Sequence, residues 1–153
     1  MGVLLGSIRD LERISPVGNT LDLLGITYEQ QILSAHRAPH DVADYAESAR
    51  KRGLKVIICA SGLSAHLAGS VAARTTLPVI GLPLASGSLG GLDALLSTVQ
   101  MPTGVPVATV AIDGAKNAAF LAAEIIALSD PGIEKKLADA RDRLAQAPGH
   151  PEP

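Results

Sequence analysis

Two of the four histidines lie in short loops of small and polar residues that follow predicted strands. One loop, residues 34–39, reads Ser-Ala-His-Arg-Ala-Pro and places His36 beside Arg37. An imidazole exchanges protons near neutral pH, and a guanidinium can bind two phosphate oxygens at once. The loop therefore predicts an acid/base group next to an anion site. The alternative is purely structural: Arg37 would pair with a surface carboxylate and His36 would pack.

The second of these histidines, His66, follows Ser61 and Gly62 and precedes a predicted helix. At this position the sequence is equally consistent with an acid/base group and with a packed, hydrogen-bonded histidine. His40 and His150 are predicted to be exposed and to have no role in a site.

A further candidate loop, Gly6-Ser7-Ile8-Arg9-Asp10, leads from the first predicted strand into a helix. Backbone N–H groups at such a turn can bind an anion. The loop lacks the glycine and lysine spacings of dinucleotide and nucleoside triphosphate sites. Asp10 either accepts hydrogen bonds from a ligand or caps the helix, and both interpretations remain open at this point.

The elements that position these loops alternate along the chain. Aliphatic runs predict strands at residues 3–5, 26–33, 55–60, 78–82 and 105–111, and helices are predicted at 10–24, 39–51, 64–74, 89–99, 115–128 and 131–146. This alternation predicts an α/β fold, a three-layer flavodoxin-like or Rossmann-like domain in which helices cover both faces of a parallel sheet, plus a C-terminal helix. Pro16, Gly18 and Asn19 predict that the first helix breaks and restarts after Ser15.

The carboxyl ends of parallel strands share one edge of the sheet, and ligands bind at that edge. The loops predicted there also include 85–91 and 113–117, whereas Gly25 and Gly53 mark ordinary turns at the opposite edge. One domain is expected over residues 1–146, followed by a disordered tail at 147–153 that contains three prolines.

The composition excludes several classes of partner. The net charge is −2 and aromatic residues make up only 2% of the 153 residues, so nucleic acid is not an expected partner. No apolar run reaches the ~18 residues that a membrane span needs. The single cysteine, Cys59, predicts a small core residue in a cytoplasmic protein without disulfides. No cluster of metal-ligating residues has a recognisable spacing, so neither a metal nor a cofactor is expected.

The apolar share of 47% is high against a charged share of 18%. A small domain of this composition is expected to bury part of its surface against other subunits, which predicts a homo-oligomer.

Residues 2–128 resemble the class I 5-(carboxyamino)imidazole ribonucleotide mutases of bacterial purine synthesis. The motifs that carry the resemblance are Gly6-Ser7-x-x-Asp10, Ser34-Ala35-His36-Arg37-x-Pro39, Ser64-Ala65-His66-Leu67-x-Gly69, Pro78-Val79-Ile80-Gly81-x-Pro83 and Val99-Gln100-Met101-Pro102. The resemblance implies a flavodoxin-like subunit in a homo-octamer, a ribonucleotide substrate and a pocket for carbon dioxide formed by residues 61–69. It implies His36 and His66 as catalytic residues and assigns substrate binding to Ser7, Asp10, Ser34, Arg37, Ser61, Gly62 and Ser64.

Three residues depart from the family pattern. Arg9 stands where the family usually has serine, Leu63 where it has glycine and Ala68 where it has proline. If the backbone at Leu63 has a positive φ, the substitution costs on the order of 1–2 kcal/mol. The first strand is also shorter than usual in the family, which points to a start further upstream. The alternatives are direct carboxylation of aminoimidazole ribonucleotide, another mononucleotide carboxylase, or a non-catalytic paralogue.

Overall fold

The computed structural model describes residues 1–146, and its centre is a parallel sheet of five strands in the order β2-β1-β3-β4-β5. Helices cover the sheet, so the predicted flavodoxin-like architecture is confirmed. The predicted tail at 147–153 and His150 lie outside the described residues. The strands are β1 (Gly2–Leu5), β2 (Glu29–Ile32), β3 (Ile57–Gly62), β4 (Val79–Leu84) and β5 (Ala108–Thr109).

Six α-helices connect and flank the strands, and one turn of 3-10 helix at Ile8–Asp10 precedes the first. They are α1 (Leu11–Leu24), α2 (Pro39–Ala49), α3 (Leu67–Ala72), α4 (Leu92–Val99), α5 (Ala115–Ala127) and α6 (Pro131–Gln146). The C-terminal helix α6 has its predicted bounds, and Asp130 Oδ1 caps it by accepting from the backbone N–H of Gly132 at 3.0 Å. Within residues 1–146, no helix combines the length and apolar character needed to cross a bilayer.

The core lies on both faces of the sheet because successive side chains of a strand point to opposite faces. Val3 and Leu5 pack in a cluster with α1, α5 and α6, whereas Leu4 packs with α2 and α3. Cys59 is buried in the second cluster, and burial raises the pKa of its thiol. The structure thus gives Cys59 the core position that the sequence predicted for it.

The two edge strands differ from the prediction. The segment 26–33 was expected to be a buried strand, yet only Glu29–Ile32 is paired and residues 30–32 are exposed. This strand pairs only with β1, and the side chains of its Gln30 and Gln31 are polar. At the other edge, β5 keeps two of the seven expected residues, since Pro106 lacks the N–H that a ladder needs.

The first helix runs without a break, so the predicted restart at Pro16 is wrong. A proline cannot donate to the carbonyl four residues earlier, which leaves the Glu12 oxygen without its helical partner. The Ser15 hydroxyl donates to that oxygen at 2.8 Å instead. Gly18 has a packing role, because a side chain there would meet the Tyr28 hydroxyl, 2.5 Å from the position of its β-carbon.

Candidate active site

A cleft of about 1040 Å³ lies at the carboxyl ends of β1 to β4. The loops after these four strands form its walls. All nine residues predicted for the site line the cleft: Ser7, Asp10, Ser34, His36, Arg37, Ser61, Gly62, Ser64 and His66. The sequence therefore located the cleft correctly, and the individual roles stay predictions.

The strand register brings the loops together. Leu5 at the end of β1 is paired with Ile32, the last residue of β2, and with Ala60 of β3, so β1 and β2 end at the same level and β3 runs on for two residues to Gly62. Gly6 then donates its N–H to the Ala60 carbonyl at 3.0 Å. A β-carbon on Gly6 would lie 3.1 Å from Ser61 Cβ, so glycine allows the first and third loops to approach closely.

The two loop histidines form a hydrogen-bonded pair. His36 Nε2 lies 2.6 Å from His66 Nδ1, and the two rings meet edge to face at 87°. A hydrogen bond of this kind needs a donor nitrogen on one ring and an acceptor nitrogen on the other, and the tautomers of the two rings decide which is which. Both residues are exposed to the cleft rather than buried. Neither histidine is buried in the core, and the hydrogen bond of His66 is consistent with both of the interpretations that the sequence left open for it.

Arg37 is held across two loops. The Ser34 hydroxyl accepts from both the backbone N–H and the Nε–H of Arg37, each at 3.3 Å. The Arg37 Nη2 group donates to the Gly6 carbonyl at 3.4 Å. Arg37 forms no ion pair with any carboxylate of residues 1–146, so the surface-pair alternative is wrong. The remaining guanidinium N–H groups are available to an anion in the cleft.

Asp10 lines the cleft but does not cap α1. Its backbone has φ −87° and ψ −6°, which is helical rather than the extended conformation of a capping residue, and its side chain makes no capping bond. The capping interpretation is therefore wrong. The residue is only 8% exposed, and this burial raises the pKa of its carboxyl, an effect that nearby Arg13 partly offsets.

The cleft wall also contains Arg13, which the sequence did not indicate, and Arg9, Ser86 and Gly87, which lie in predicted loops but were not among the predicted site residues. Arg13 could have been found, because residues four apart share one face of a helical segment and Arg9 was already in a candidate loop. The three arginines Arg9, Arg13 and Arg37 outnumber the single carboxylate in the lining, which makes the cleft suitable for an anionic ligand.

The fifth predicted loop, 113–117, does not line the cleft. Its first residue, Asp113, contacts two residues of neighbouring segments. Asp113 Oδ1 accepts a hydrogen bond from the Ala85 backbone N–H at 3.1 Å and lies 3.5 Å from Arg13 Nη1. Asp113 therefore ties the loop after β4 to α1. Among residues 1–146, no three histidine, cysteine, aspartate or glutamate side chains converge as a metal site.

Replacing Asp10 by asparagine tests the buried carboxyl. The raised pKa means that folded Asp10 keeps its proton to higher pH than unfolded Asp10. Wild-type stability is therefore lost as the pH rises from the unfolded value of about 4 through the folded value. Urea unfolding should show Asp10→Asn gaining stability relative to wild type across this window. Asp44→Asn, at an exposed position of α2, is the control. A relative stability of Asp10→Asn that falls with rising pH would contradict the assignment.

Comparison with known proteins places these features in a family. A family model described as AIR carboxylase matches residues 1–147. The N5-carboxyaminoimidazole ribonucleotide mutase of Bacillus subtilis is 49% identical, covering 95% of this chain and 91% of the relative. The mutase of Saccharolobus solfataricus is 52% identical, covering 95% of this chain and 90% of the relative.

A solved structure agrees with these sequence matches. The crystal structure of Treponema denticola PurE superposes with a TM-score of 0.84 at 30% identity, covering 95% of this chain and 90% of that one. The chain belongs to the AIR carboxylase family.

Proposed function

We propose that the chain is an N5-carboxyaminoimidazole ribonucleotide mutase. This isomerase acts in the de novo purine pathway, whose product is IMP. It moves a carboxylate from the exocyclic nitrogen of 5-(carboxyamino)imidazole ribonucleotide to a ring carbon, giving 4-carboxy-5-aminoimidazole ribonucleotide. The observation that carries the proposal is the hydrogen-bonded His36–His66 pair together with Arg37 in one cleft. The mutase relatives favour intramolecular transfer over direct carboxylation.

Arg37 binds the phosphate of the substrate in this proposal. Its fork is already oriented by Ser34 and by the Gly6 carbonyl, so little conformational freedom is lost on binding. Ser7 and the backbone N–H groups after it complete the anion site. The Asp10 carboxylate, free of any cap, accepts from the ribose hydroxyls.

The reaction needs one proton to move twice. As the carbamate C–N bond breaks, His36 gives a proton to the exocyclic nitrogen and carbon dioxide is released inside the cleft. The ring carbon then attacks carbon dioxide, a C–C bond forms, and the hydrogen on that carbon returns to His36 as a proton. Atoms and charge balance over the cycle, and no electrons are exchanged with another molecule.

His66 has a supporting part in this cycle. Its Nδ1 at 2.6 Å from His36 Nε2 fixes the orientation of the His36 ring and takes or returns a proton as the charge on His36 changes. Ser61, Gly62 and Ser64 form the wall beside the pair, where carbon dioxide must be held close to the ring carbon for recapture to be effectively unimolecular.

The assembly proposed for this enzyme is a homo-octamer in the cytoplasm. Its support is the apolar surface of α4, where Leu92, Leu96 and Val99 are each about half exposed and follow one helical stripe. Contact with other subunits would cover this stripe. A sedimentation mass near that of one 15.7 kDa chain at micromolar concentration would contradict the octamer.

Turnover of the ribonucleotide without ATP or added bicarbonate tests the function, and His36→Asn tests the acid/base role. We expect the wild type to form the carboxylated product and His36→Asn to lose about 10²-fold or more of the rate. Because asparagine keeps a polar group but cannot carry the proton, nucleotide binding should stay within about tenfold. His40→Asn, at an exposed histidine outside the cleft, is the matched control. Turnover by His36→Asn above a hundredth of the wild-type rate would overturn the role.

Substitutions of Arg37 test substrate binding separately from the chemical step. Lysine keeps the charge but loses the two-pronged geometry, so Arg37→Lys should weaken substrate binding by roughly 1–3 kcal/mol, and Arg37→Ala by more. The rate at saturating substrate should fall less than in His36→Asn. Arg74→Lys, which alters an exposed ion pair with Glu47, is the control. Wild-type affinity in Arg37→Ala would place the phosphate elsewhere.

A further inference from the structure

The loops after β3 and β4 touch along one side of the cleft. A β-carbon on Gly87 would lie 2.7 Å from Leu63 Cδ2, and a β-carbon on Gly62 would lie 2.7 Å from Ser86 Cβ. Two glycines therefore make room for the side chains of the opposite loop. Leu63 occupies the space over Gly87 and bridges the two loops.

Leu63 makes this contact from a strained backbone. Its φ is 55°, so the backbone strain expected when leucine replaces the family's glycine is present. Among residues 1–146, Asp113 is the only other non-glycine residue with a positive φ. A leucine with this φ persists only where its surroundings enforce it, and such positions cluster at functional sites. Core burial does not enforce it, because 53% of the side chain is exposed.

An apolar bridge at this place suits the chemistry that we propose for the cleft. Carbon dioxide carries no net charge, so the protein cannot hold it by an ion pair. The walls of the cleft must keep it beside the ring carbon. The neighbouring wall residues Ser61, Ser64 and Ser86 carry hydroxyl groups, which attract water. Leu63 is an apolar side chain next to these serines, and its Cδ2 lies against Gly87 of the opposite loop.

We propose that Leu63 is a positioning residue that seals the cleft between the two loops and so raises the fraction of carbon dioxide that is recaptured. The inference rests on the proposed mutase function. When the seal is absent, carbon dioxide leaves after the C–N bond has broken, the nitrogen keeps its new proton, and 5-aminoimidazole ribonucleotide is released in place of the carboxylated product.

The test measures how much of the carboxylate stays with the substrate. Substrate labelled with ¹³C in the carbamate is turned over in buffer with unlabelled bicarbonate, and the label in the product is compared with the 5-aminoimidazole ribonucleotide released, after subtraction of the loss in buffer alone. Leu63→Ala removes the bridge but keeps the β-carbon and its strain. Leu63→Gly removes both. Leu63→Met restores an apolar bridge, and Leu23→Ala, at an exposed leucine of α1, is the matched control.

We expect Leu63→Ala and Leu63→Gly to lose label at least about fivefold more often per turnover than the wild type, with KM changed less than about twofold. Leu63→Met and Leu23→Ala should retain label like the wild type. A residue that only stabilises the loop would change the rate or the melting temperature without changing label retention. Retention within about twofold of wild type in both Leu63→Ala and Leu63→Gly would overturn the proposal. Absence of product with the wild type would instead overturn the mutase function.

Discussion

The parallel register of β1 with its two neighbours is the constraint on which the site depends. Leu5 is level with both Ile32 and Ala60, so the loops that carry Ser7, His36 and the Ser61–Ser64 segment leave the sheet side by side. A shift of one residue would turn every side chain of a strand to the opposite face. The alternating burial of Val3, Leu4 and Leu5 fixes that register, so the packing of the core also sets the geometry of the cleft.

Polar contacts hold the side chains and loops of the cleft in place before any ligand arrives. Ser34 and the Gly6 carbonyl hold Arg37, His66 holds His36, and Asp113 holds the Ala85 amide of the fourth loop. Such preorganisation lowers the entropy lost on binding and in the transition state. The buried Asp10 carboxyl works against stability, because its burial disfavours the charged form.

The sequence predicted most clearly what depends on periodicity. The apolar β3 and β4, the carboxyl-edge loops and the bounds of α6 followed from local patterns. It could not settle whether Asp10 caps α1, because that depends on one backbone angle, nor that Ser15 would replace the missing donor of Pro16. The His36–His66 bond joins residues 30 positions apart, and its length depends on the register of three strands rather than on spacing.

A double-mutant cycle on the rate at saturating substrate tests whether His36 and His66 act as one proton-transfer unit, as we propose. We expect His36→Asn and His66→Asn each to lose activity, and the double variant to lose no more than about threefold beyond the worse single variant, since either change disables the unit. Losses that multiply in the double variant would show that the two residues act independently and would contradict the proposed unit.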